Sequence, residues 1–365
     1  MHVYLDHAAA TPVTPAALEA FLAASESAWA NAESAHLPGR QAKEALEAAR
    51  AAVARKMEVP AEGLVFVSCA TEGNNMAIMS AAARRGRRNH AVATAYEHAS
   101  VTQALRHLKT QGCSVTAVPP DASGRITALA LAQAVTADTF LVCCARVCSE
   151  TGAVMPVDEL KRVCPDVWLH CDNTQGFLRT EPVGEACGVD SCVVSGHKVG
   201  APKGAAAVWL RPGVSHVPLL RGGRQEAALR AGTVNVPSCV AFAAAADSYA
   251  PPPLSLLRYA EDVLEGLPGV CLLRPRQAPH ILPFALPGCP AEVAARMLSD
   301  MGIYISAGAA CSKGGKSEAL TAQKLPSQVV AGALRASFAA CTARGDIDAL
   351  AEGLRAVTAR LARRH

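Results

Sequence analysis

The chain has 365 residues, of which 51% are hydrophobic and 18% are charged, and its formal net charge is +4. This composition indicates a globular protein, because a disordered chain carries fewer apolar residues and more charge. The length exceeds that of one compact core and predicts one large and one smaller domain. The densest basic run is Arg84-Arg85-Gly86-Arg87-Arg88. We interpret it as a solvated helix end rather than a nucleic-acid site.

The chain lacks the sequence features of export and of membrane insertion. No apolar stretch approaches the roughly 20 residues that cross a bilayer, and the first residues do not resemble a secretory signal. We therefore expect a cytoplasmic protein that binds neither membrane nor nucleic acid. Its 14 cysteines are then expected to be reduced thiols. They include no paired Cys-x-x-Cys spacing, so we expect no metal site.

Strand-like and helix-like segments alternate through the first two thirds of the chain. The strands are predicted at Leu64–Ser68, His90–Thr94, Ser114–Val118, Thr139–Ala145, Val167–Cys171 and Ser191–Ser195. Helices are predicted between them, among them Asn74 to Arg85 and a helix near Ser100 to Thr110. This alternation predicts an α/β fold with a mostly parallel central sheet flanked by helices. Gly204 to Trp209 is predicted to add an edge strand.

The pattern changes after Pro251-Pro252-Pro253, which predicts a stiff boundary. Helices and short strands beyond it predict a smaller α+β domain. We assign residues 15–247 to the large domain, and residues 1–14 with 248–365 to the small one.

Three segments of the large domain carry candidate chemistry, and each has a plainer alternative. Ala70 and Thr71 precede a predicted helix, whose N-terminal N–H groups can bind an anion. The alternative is a simple helix cap by Thr71. Asp172 ends a buried strand, where open α/β sheets place their ligands, and its carboxylate could pair with a protonated pyridine nitrogen. The alternative is again helix capping.

The third segment surrounds Lys198, which follows an apolar strand and precedes a turn rich in Gly and Pro. A buried lysine loses its proton readily, as a Schiff base requires. Ser195 and His197 flank it as potential phosphate donors. The alternative is a solvated surface lysine.

Taken together, these segments resemble the cysteine desulfurase family (NifS/IscS-like) of fold-type I pyridoxal 5'-phosphate (PLP) enzymes, within the class V aminotransferases. The order and approximate spacing of the motifs match almost from end to end. The matching segments are Tyr4-Leu5-Asp6-His7-Ala8-Ala9-Ala10-Thr11-Pro12, Asn31 to His36, Ala70-Thr71-Glu72, Glu97-His98-Ala99-Ser100-Val101, Asp172 to Gln175, Ser195 to Lys198, Gly200 to Gly204, Leu229-Arg230-Ala231-Gly232-Thr233 and Ala309-Ala310-Cys311-Ser312.

The resemblance implies a role for each matching cofactor residue. Lys198 would bond covalently to PLP and shuttle protons, and His98 would stack on the ring and assist proton transfer. Asp172 would pair with the pyridine nitrogen and Gln175 with the phenolic oxygen. The phosphate would be held by Ala70, Thr71, Ser195 and His197, with Thr233 reaching the site of the other subunit of a homodimer.

The resemblance also implies how substrate and sulfur are handled. Arg335 would bind the carboxylate of L-cysteine through its guanidinium fork, with Asn31 and Ser149 on the substrate side. Cys311 lies in a segment of small residues and glycines beside Lys313 and Lys316, which favours a reactive thiolate. It would take the sulfur as a persulfide and pass it to an acceptor protein, such as an iron–sulfur scaffold or a thiolation factor.

The sequence departs from the family pattern at a few positions. Cys148 and Ser149 stand where the family usually has two asparagines, His7 replaces a common asparagine and Ala309 a common serine. Two other functions share the fold, a selenocysteine lyase and a cysteine C–S lyase that releases sulfide. A non-catalytic scaffold homologue is a further alternative.

Overall fold

The computed structural model describes residues 2–308 and 317–362. Within these ranges the helices are α1 (Pro15–Ser27), α2 (Leu37–Met57), α3 (Ala70–Ala83), α4 (Ala99–Thr110), α5 (Ala128–Ala134), α6 (Val157–Val163), α7 (Val236–Ser248), α8 (Leu254–Glu265), α9 (Ala291–Asp300), α10 (Glu318–Ala322), α11 (Ser327–Ala331) and α12 (Arg344–Ala362). The strands are β1 (Val3–Tyr4), β2 (Leu64–Val67), β3 (His90–Thr94), β4 (Ser114–Val118), β5 (Thr139–Cys143), β6 (Trp168–Asp172), β7 (Ser191–Ser195), β8 (Ala206–Leu210), β9 (Cys271–Leu272), β10 (Ile281–Ala285), β11 (Ile303–Tyr304), β12 (Ser306–Ala307) and β13 (Ala333–Ser337).

The large sheet of the described chain has seven strands in the order β2-β8-β7-β6-β5-β3-β4. Neighbouring strands are parallel except at β8, which is antiparallel to both β2 and β7. The predicted α/β fold with a mostly parallel sheet is therefore confirmed. The predicted edge position of β8 is wrong, because β8 lies between β2 and β7. The chain reverses after β7 through a turn that contains Gly204 at φ 94°, and β8 then runs back along β7.

The central strands are buried at every position because helices cover both faces of the sheet. α3 packs closely on β7 and β8 through Gly73. A Cβ atom at Gly73 would lie 3.1 Å from Val193 Cγ2 and 3.3 Å from Val208 Cβ. A larger residue would need these valines to shift by a few tenths of an ångström, so Gly73 favours the close packing of α3 on the sheet. This packing places the N-terminus of α3 at the carboxyl ends of the parallel strands.

α3 begins at Ala70, four residues before the predicted start, so the predicted anion-binding turn is the first turn of the helix itself. The helix ends at Ala83 with Arg84 as its C-cap, and the basic run lies at a helix end as predicted. The Arg84 guanidinium carbon lies 3.8 Å from the centre of the Trp168 ring. No helix in the described ranges has the length and apolar character to span a membrane.

The second part of the chain contains a four-stranded antiparallel sheet in the order β12-β13-β10-β9. β1 pairs in parallel with β11, so the first residues of the chain pack here. Val3 and Leu5 belong to a hydrophobic cluster that otherwise contains residues from Leu256 onward. The boundaries assigned to the two domains stay a prediction.

Candidate active site

The carboxyl ends of the parallel strands β2, β3, β5, β6 and β7 lie at one edge of the large sheet, beside a cavity of about 430 Å³. Nine of the predicted site residues line this cavity: Ala70, Thr71, His98, Ser149, Asp172, Gln175, His197, Lys198 and Arg335. Residues far apart in the chain therefore meet where α/β sheets place their ligands.

Asp172 is the last residue of β6 and is 6% exposed. Its carboxylate accepts hydrogen bonds from Asn74 Nδ2 at 2.7 Å and from the backbone N–H of Thr174 at 3.0 Å. Residues 174–179 form a turn, so the helix-capping alternative for Asp172 is wrong. Both donors are neutral, and a cationic ring nitrogen in the cavity would find a carboxylate with which to pair.

Asn74 is a fully buried residue to which the sequence analysis gave no role. Its Nδ2 donates to Ser100 Oγ at 2.8 Å as well as to Asp172, and its Oδ1 lies 3.1 Å from His170 Nε2. Burial lowers the pKa of His170 to about 4, with the charge of Asp172 acting in the opposite direction. An amide among the mostly apolar residues on the buried face of the helix was the available signal in the sequence.

His98 is the N-cap of α4 and lines the cavity. Its Nδ1 accepts the backbone N–H of Ser100 at 3.1 Å and lies 2.9 Å from Ser100 Oγ. An Nδ1 that accepts a hydrogen bond leaves Nε2 as the protonated nitrogen of the neutral ring. The contacts therefore determine both the orientation and the tautomer of His98.

Lys198 is half-buried, and its Nζ donates to the carbonyls of Ala8 at 2.8 Å and Ala9 at 2.7 Å. These contacts hold the amine against backbone in the cavity and contradict the solvated surface alternative. Arg179, which the sequence analysis missed, is 6% exposed. Its guanidinium donates to the carbonyl of Lys198 and, at 2.8 Å, to Tyr249 Oη. No local motif in the sequence indicates a role for Arg179, because that role depends on contacts with two distant segments.

His197 lines the cavity, whereas Ser195 lies behind it and is 1% exposed. Ser195 Oγ and His197 Nδ1 are 2.9 Å apart. Burial, followed by the charges of Lys198, Lys203 and Arg179, lowers the pKa of His197 to about 4. A neutral His197 oriented by Ser195 is suited to donate a hydrogen bond to an anion.

The N-terminus of α3 supplies the anion-binding turn. Its N-cap is Cys69, whose side chain makes no capping hydrogen bond, so the alternative of a Thr71 cap is wrong. The first helical bond runs from Gly73 N–H to Cys69 O at 3.2 Å. Ala70 and Thr71 precede that bond and line the cavity. Their N–H groups and the positive end of the helix dipole would favour a phosphate.

Arg335 reaches the cavity from β13 and is 8% exposed. Its Nη2 lies 2.8 Å from Asp6 Oδ1 and 2.9 Å from Ser306 Oγ, while Nη1 donates to the carbonyl of Ser149 at 2.9 Å. Its Nε is buried and has no hydrogen-bond partner within the described ranges. The guanidinium is therefore held rigidly and keeps donor capacity for a carboxylate.

Two of the predicted residues within the described ranges, Asn31 and Thr233, lie outside this cluster. Asn31 and Thr233 are exposed and do not line the cavity. Asn31 instead lines a separate cavity of about 170 Å³ with Gln225 and Val234. Cys311 lies outside the described residues. The cysteines within the described ranges are all free thiols.

The contacts fit a phosphorylated pyridine aldehyde such as PLP. Asp172 suits the ring nitrogen, Lys198 the aldehyde carbon, and the first turn of α3 the phosphate. Thr174 Oγ1 is buried without a hydrogen-bond partner among the described residues and belongs to the cavity lining. Such an orphaned hydroxyl is expected where a polar ligand completes the site.

Comparison with known proteins connects this geometry to a family. The sequence profile of the family Aminotransferase class-V matches residues 3–350. The chain is 34% identical over 382 residues to the IscS-like cysteine desulfurase of Mycobacterium tuberculosis, covering 99% of this chain and 97% of that protein. A solved structure named NifS-like protein superposes with a TM-score of 0.90 at 28% identity, covering 98% of this chain and 100% of that one. The structure of SspA in complex with cysteine has a TM-score of 0.81 at 28% identity, covering 93% of this chain and 99% of that one.

Proposed function

The chain belongs to the aminotransferase class-V family, among its PLP-dependent cysteine desulfurases of the NifS and IscS type, and we propose that it converts L-cysteine to L-alanine while Cys311 receives the sulfur as a persulfide. The observation that carries this proposal is the meeting of Lys198, Asp172 and the N-terminus of α3 at one cavity. An S–S bond forms between Cys311 and the substrate sulfur while the substrate C–S bond breaks. The electron pair of that bond stays with the substrate and takes up a proton, which gives the methyl group of alanine.

PLP supplies an electron sink for the carbanion that forms at the substrate α-carbon. Lys198 would hold the cofactor through Nζ, which the carbonyls of Ala8 and Ala9 keep at the cavity. Once the substrate displaces it from the cofactor, its amine would carry a proton to and from the substrate. Asp172 keeps the pyridine nitrogen protonated, which strengthens the sink. Ser100 orients the ring of His98 by donating its backbone N–H to Nδ1.

Arg335 binds the carboxylate of L-cysteine. The contacts with Asp6, Ser306 and the Ser149 carbonyl hold its guanidinium in place before the substrate arrives, which reduces the entropy lost on binding. Binding of cysteine by SspA, a structural relative at 28% identity, supports this substrate class.

The described residues on either side of the segment with Cys311 contact elements beside the cavity. Gly308 N–H donates to the Ala333 carbonyl at 2.7 Å, two residues before Arg335. Ser317, at the other end, hydrogen-bonds the Glu150 side chain, next to Ser149. Both contacts support the proposal that Cys311 receives the sulfur.

The decisive experiment incubates the PLP-loaded enzyme with L-cysteine and measures alanine together with protein-bound persulfide. We expect persulfide on Cys311, loss of both products in Cys311→Ser without a reductant, and wild-type behaviour in Cys271→Ser, which removes an exposed cysteine. Equal alanine formation by Cys311→Ser without reductant or acceptor would instead indicate a C–S lyase. A preference for L-selenocysteine that does not depend on Cys311 would indicate a selenocysteine lyase.

The absorbance of bound PLP tests the alternative of a non-catalytic scaffold. PLP bound through Lys198 gives a visible absorbance band, which Lys198→Ala should abolish. A wild-type chain that binds no PLP and forms no alanine would be a non-catalytic homologue.

The proposal includes a homodimer in which Asn31 and Thr233 serve the site of the other subunit. Both residues are exposed, and neighbouring segments expose the apolar side chains Trp29, Leu219 and Leu220. Large apolar side chains exposed near a polar functional residue are typical of interfaces.

Subunit complementation tests this arrangement. Lys198→Ala and Thr233→Asp should each be inactive as homodimers, but a mixed dimer keeps one intact site. Random pairing makes half of the dimers mixed, so co-expression should restore about a quarter of the wild-type activity. Failure to complement, or a monomeric active enzyme, contradicts shared sites.

The sulfur acceptor is proposed to be a protein, either an iron–sulfur scaffold or a thiolation factor. The free and mostly buried thiols of the described ranges suit a reducing compartment, and we propose the cytoplasm.

A further inference from the structure

The side-chain amide of Gln175 is held at both of its ends. Nε2 donates to the Ala8 carbonyl at 2.9 Å, and Oε1 lies 3.2 Å from His280 Nε2. A backbone carbonyl can only accept, so Nε2 must face Ala8 and Oε1 must face the histidine. The histidine is therefore the donor in the second contact, with its proton on Nε2.

His280 is fully buried, and its surroundings favour the neutral ring. Burial lowers its pKa well below the ordinary value, and the nearby charges of Arg179 and Arg335 lower it further. A neutral ring has one N–H, and the contact with Gln175 requires it on Nε2. In agreement, Nδ1 is buried and has no hydrogen-bond partner in the described part of the chain.

His280 is held by the four-stranded sheet rather than by the seven-stranded sheet that carries Asp172 and Lys198. The residue immediately precedes β10, and its carbonyl accepts the N–H of Phe338 at 2.9 Å. Its ring thus extends from the small sheet to the turn that follows β6. The Ala8 carbonyl that binds Gln175 also accepts Lys198 Nζ at 2.8 Å. One network therefore connects the cofactor lysine, Gln175 and His280.

We propose that His280 is a positioning residue that holds the Gln175 amide with its N–H groups toward the cofactor. Nε2 of Gln175 has a second N–H beyond the one used by Ala8, and Gln175 lines the cavity. That N–H is available to the phenolic oxygen of PLP. A reversed amide would present Oε1 to this electron-rich oxygen, and the two acceptors would repel. The inference rests on the proposed function, because it concerns the cofactor of that same site.

The proposal has a spectroscopic consequence. A donor to the phenolic oxygen disperses its negative charge and weakens its hold on the proton that it shares with the Lys198 nitrogen. Loss of the donor therefore raises the pH at which the visible band of the bound cofactor titrates. The net effect of one buried hydrogen bond predicts a rise of roughly half a unit to one unit, with cofactor binding weakened about threefold to tenfold.

The test compares PLP-loaded His280→Leu, which removes the donor, with His280→Gln, whose amide can restore it. We expect the raised midpoint and weaker binding in the leucine variant, and near wild-type values in the glutamine variant. In a Gln175→Leu background, the addition of His280→Leu should shift the midpoint no further, because His280 acts through Gln175. His280→Phe fills a similar volume and replaces the leucine variant if that protein does not fold.

The matched control is His90→Leu. His90 is 7% exposed and is hydrogen-bonded to Thr139 and Thr116 away from the cavity. The His90→Leu protein should be less stable than wild type, but the pH midpoint of its cofactor band should not change. An unchanged midpoint in His280→Leu, or an equal shift with and without Gln175, overturns the proposal. Failure of the proposed function is distinct, since the wild-type chain itself would then lack the band or form no alanine.

Discussion

Asn74 Nδ2 lies 2.7 Å from Asp172 Oδ2, which makes an asparagine of α3 the principal side-chain support of the carboxylate that faces the cavity. The same nitrogen donates to Ser100 Oγ, which in turn contacts His98 Nδ1 at 2.9 Å. The buried amide of Asn74 therefore connects His98, expected on the face of the cofactor ring, with Asp172, expected at the ring nitrogen. A change at Asn74 should disturb both.

Asn74→Asp tests this connection without a change in size. A second carboxylate beside Asp172 cannot ionise freely at such a short distance, so the pair would share a proton and Asp172 would support the pyridine nitrogen poorly. We expect at least a roughly tenfold fall in kcat for alanine formation, with PLP still attached to Lys198. The control is Asn75→Asp, since the Asn75 amide contacts only the Thr71 carbonyl in its own helix among the bonds described. Equal kcat values in both variants would contradict the role of Asn74.

Arg335→Lys keeps the positive charge but removes the paired N–H donors of the planar guanidinium group. A single ammonium cannot contact Asp6, Ser306 and the Ser149 carbonyl while also binding a carboxylate in a bidentate manner. We expect KM for L-cysteine to rise about tenfold or more, while the cofactor band is unchanged. Steady-state kinetics and absorbance spectra check this, with the exposed Arg355→Lys as control. A normal KM would place the substrate carboxylate elsewhere.

The buried carboxyl group of Glu97 should make the stability of the folded protein depend on pH. Burial raises its pKa from 4.5 to about 7, although bonds from Thr94 Oγ1 and the Ala145 N–H oppose this rise, and its Oε2 has no partner in the described ranges. The folded chain therefore binds the proton more tightly than the unfolded chain. Stability should fall as the pH rises from about 4.5 to 7 and then level off.

Glu97→Gln should abolish this fall in stability with rising pH, because an amide does not ionise. Relative to wild type, the variant should gain up to roughly 3 kcal/mol in the free energy of unfolding between pH 5 and pH 8. Urea denaturation at both pH values measures the difference. Glu62→Gln alters an exposed glutamate and should show no such gain. A parallel pH profile for Glu97→Gln and wild type would contradict a buried, protonated Glu97.

Local pattern was sufficient to place the central elements of the fold. The predicted Ser191–Ser195 strand agrees with β7, because five consecutive small or apolar residues next to turn residues indicate a buried strand. The start of α3 was predicted four residues late. Gly73 is an unfavourable helix former, and the N-cap Cys69 has no capping side chain to mark where the helix begins. β8 was assigned to an edge because its partner β2 precedes it by more than a hundred residues, and strand order depends on long-range packing.

The sequence by itself determined that Lys198 and Asp172 would approach one another. Each follows an apolar strand, and the carboxyl ends of parallel strands must share one edge of the sheet, so local pattern implied the meeting. The tertiary structure alone decided what orients these groups. Ala8, Asn74, Arg179 and His280 come from separate segments, and their contacts depend on how the two sheets and α3 pack. Hydrogen bonds act over about 3 Å, so no local pattern in the chain specifies which distant polar groups will meet.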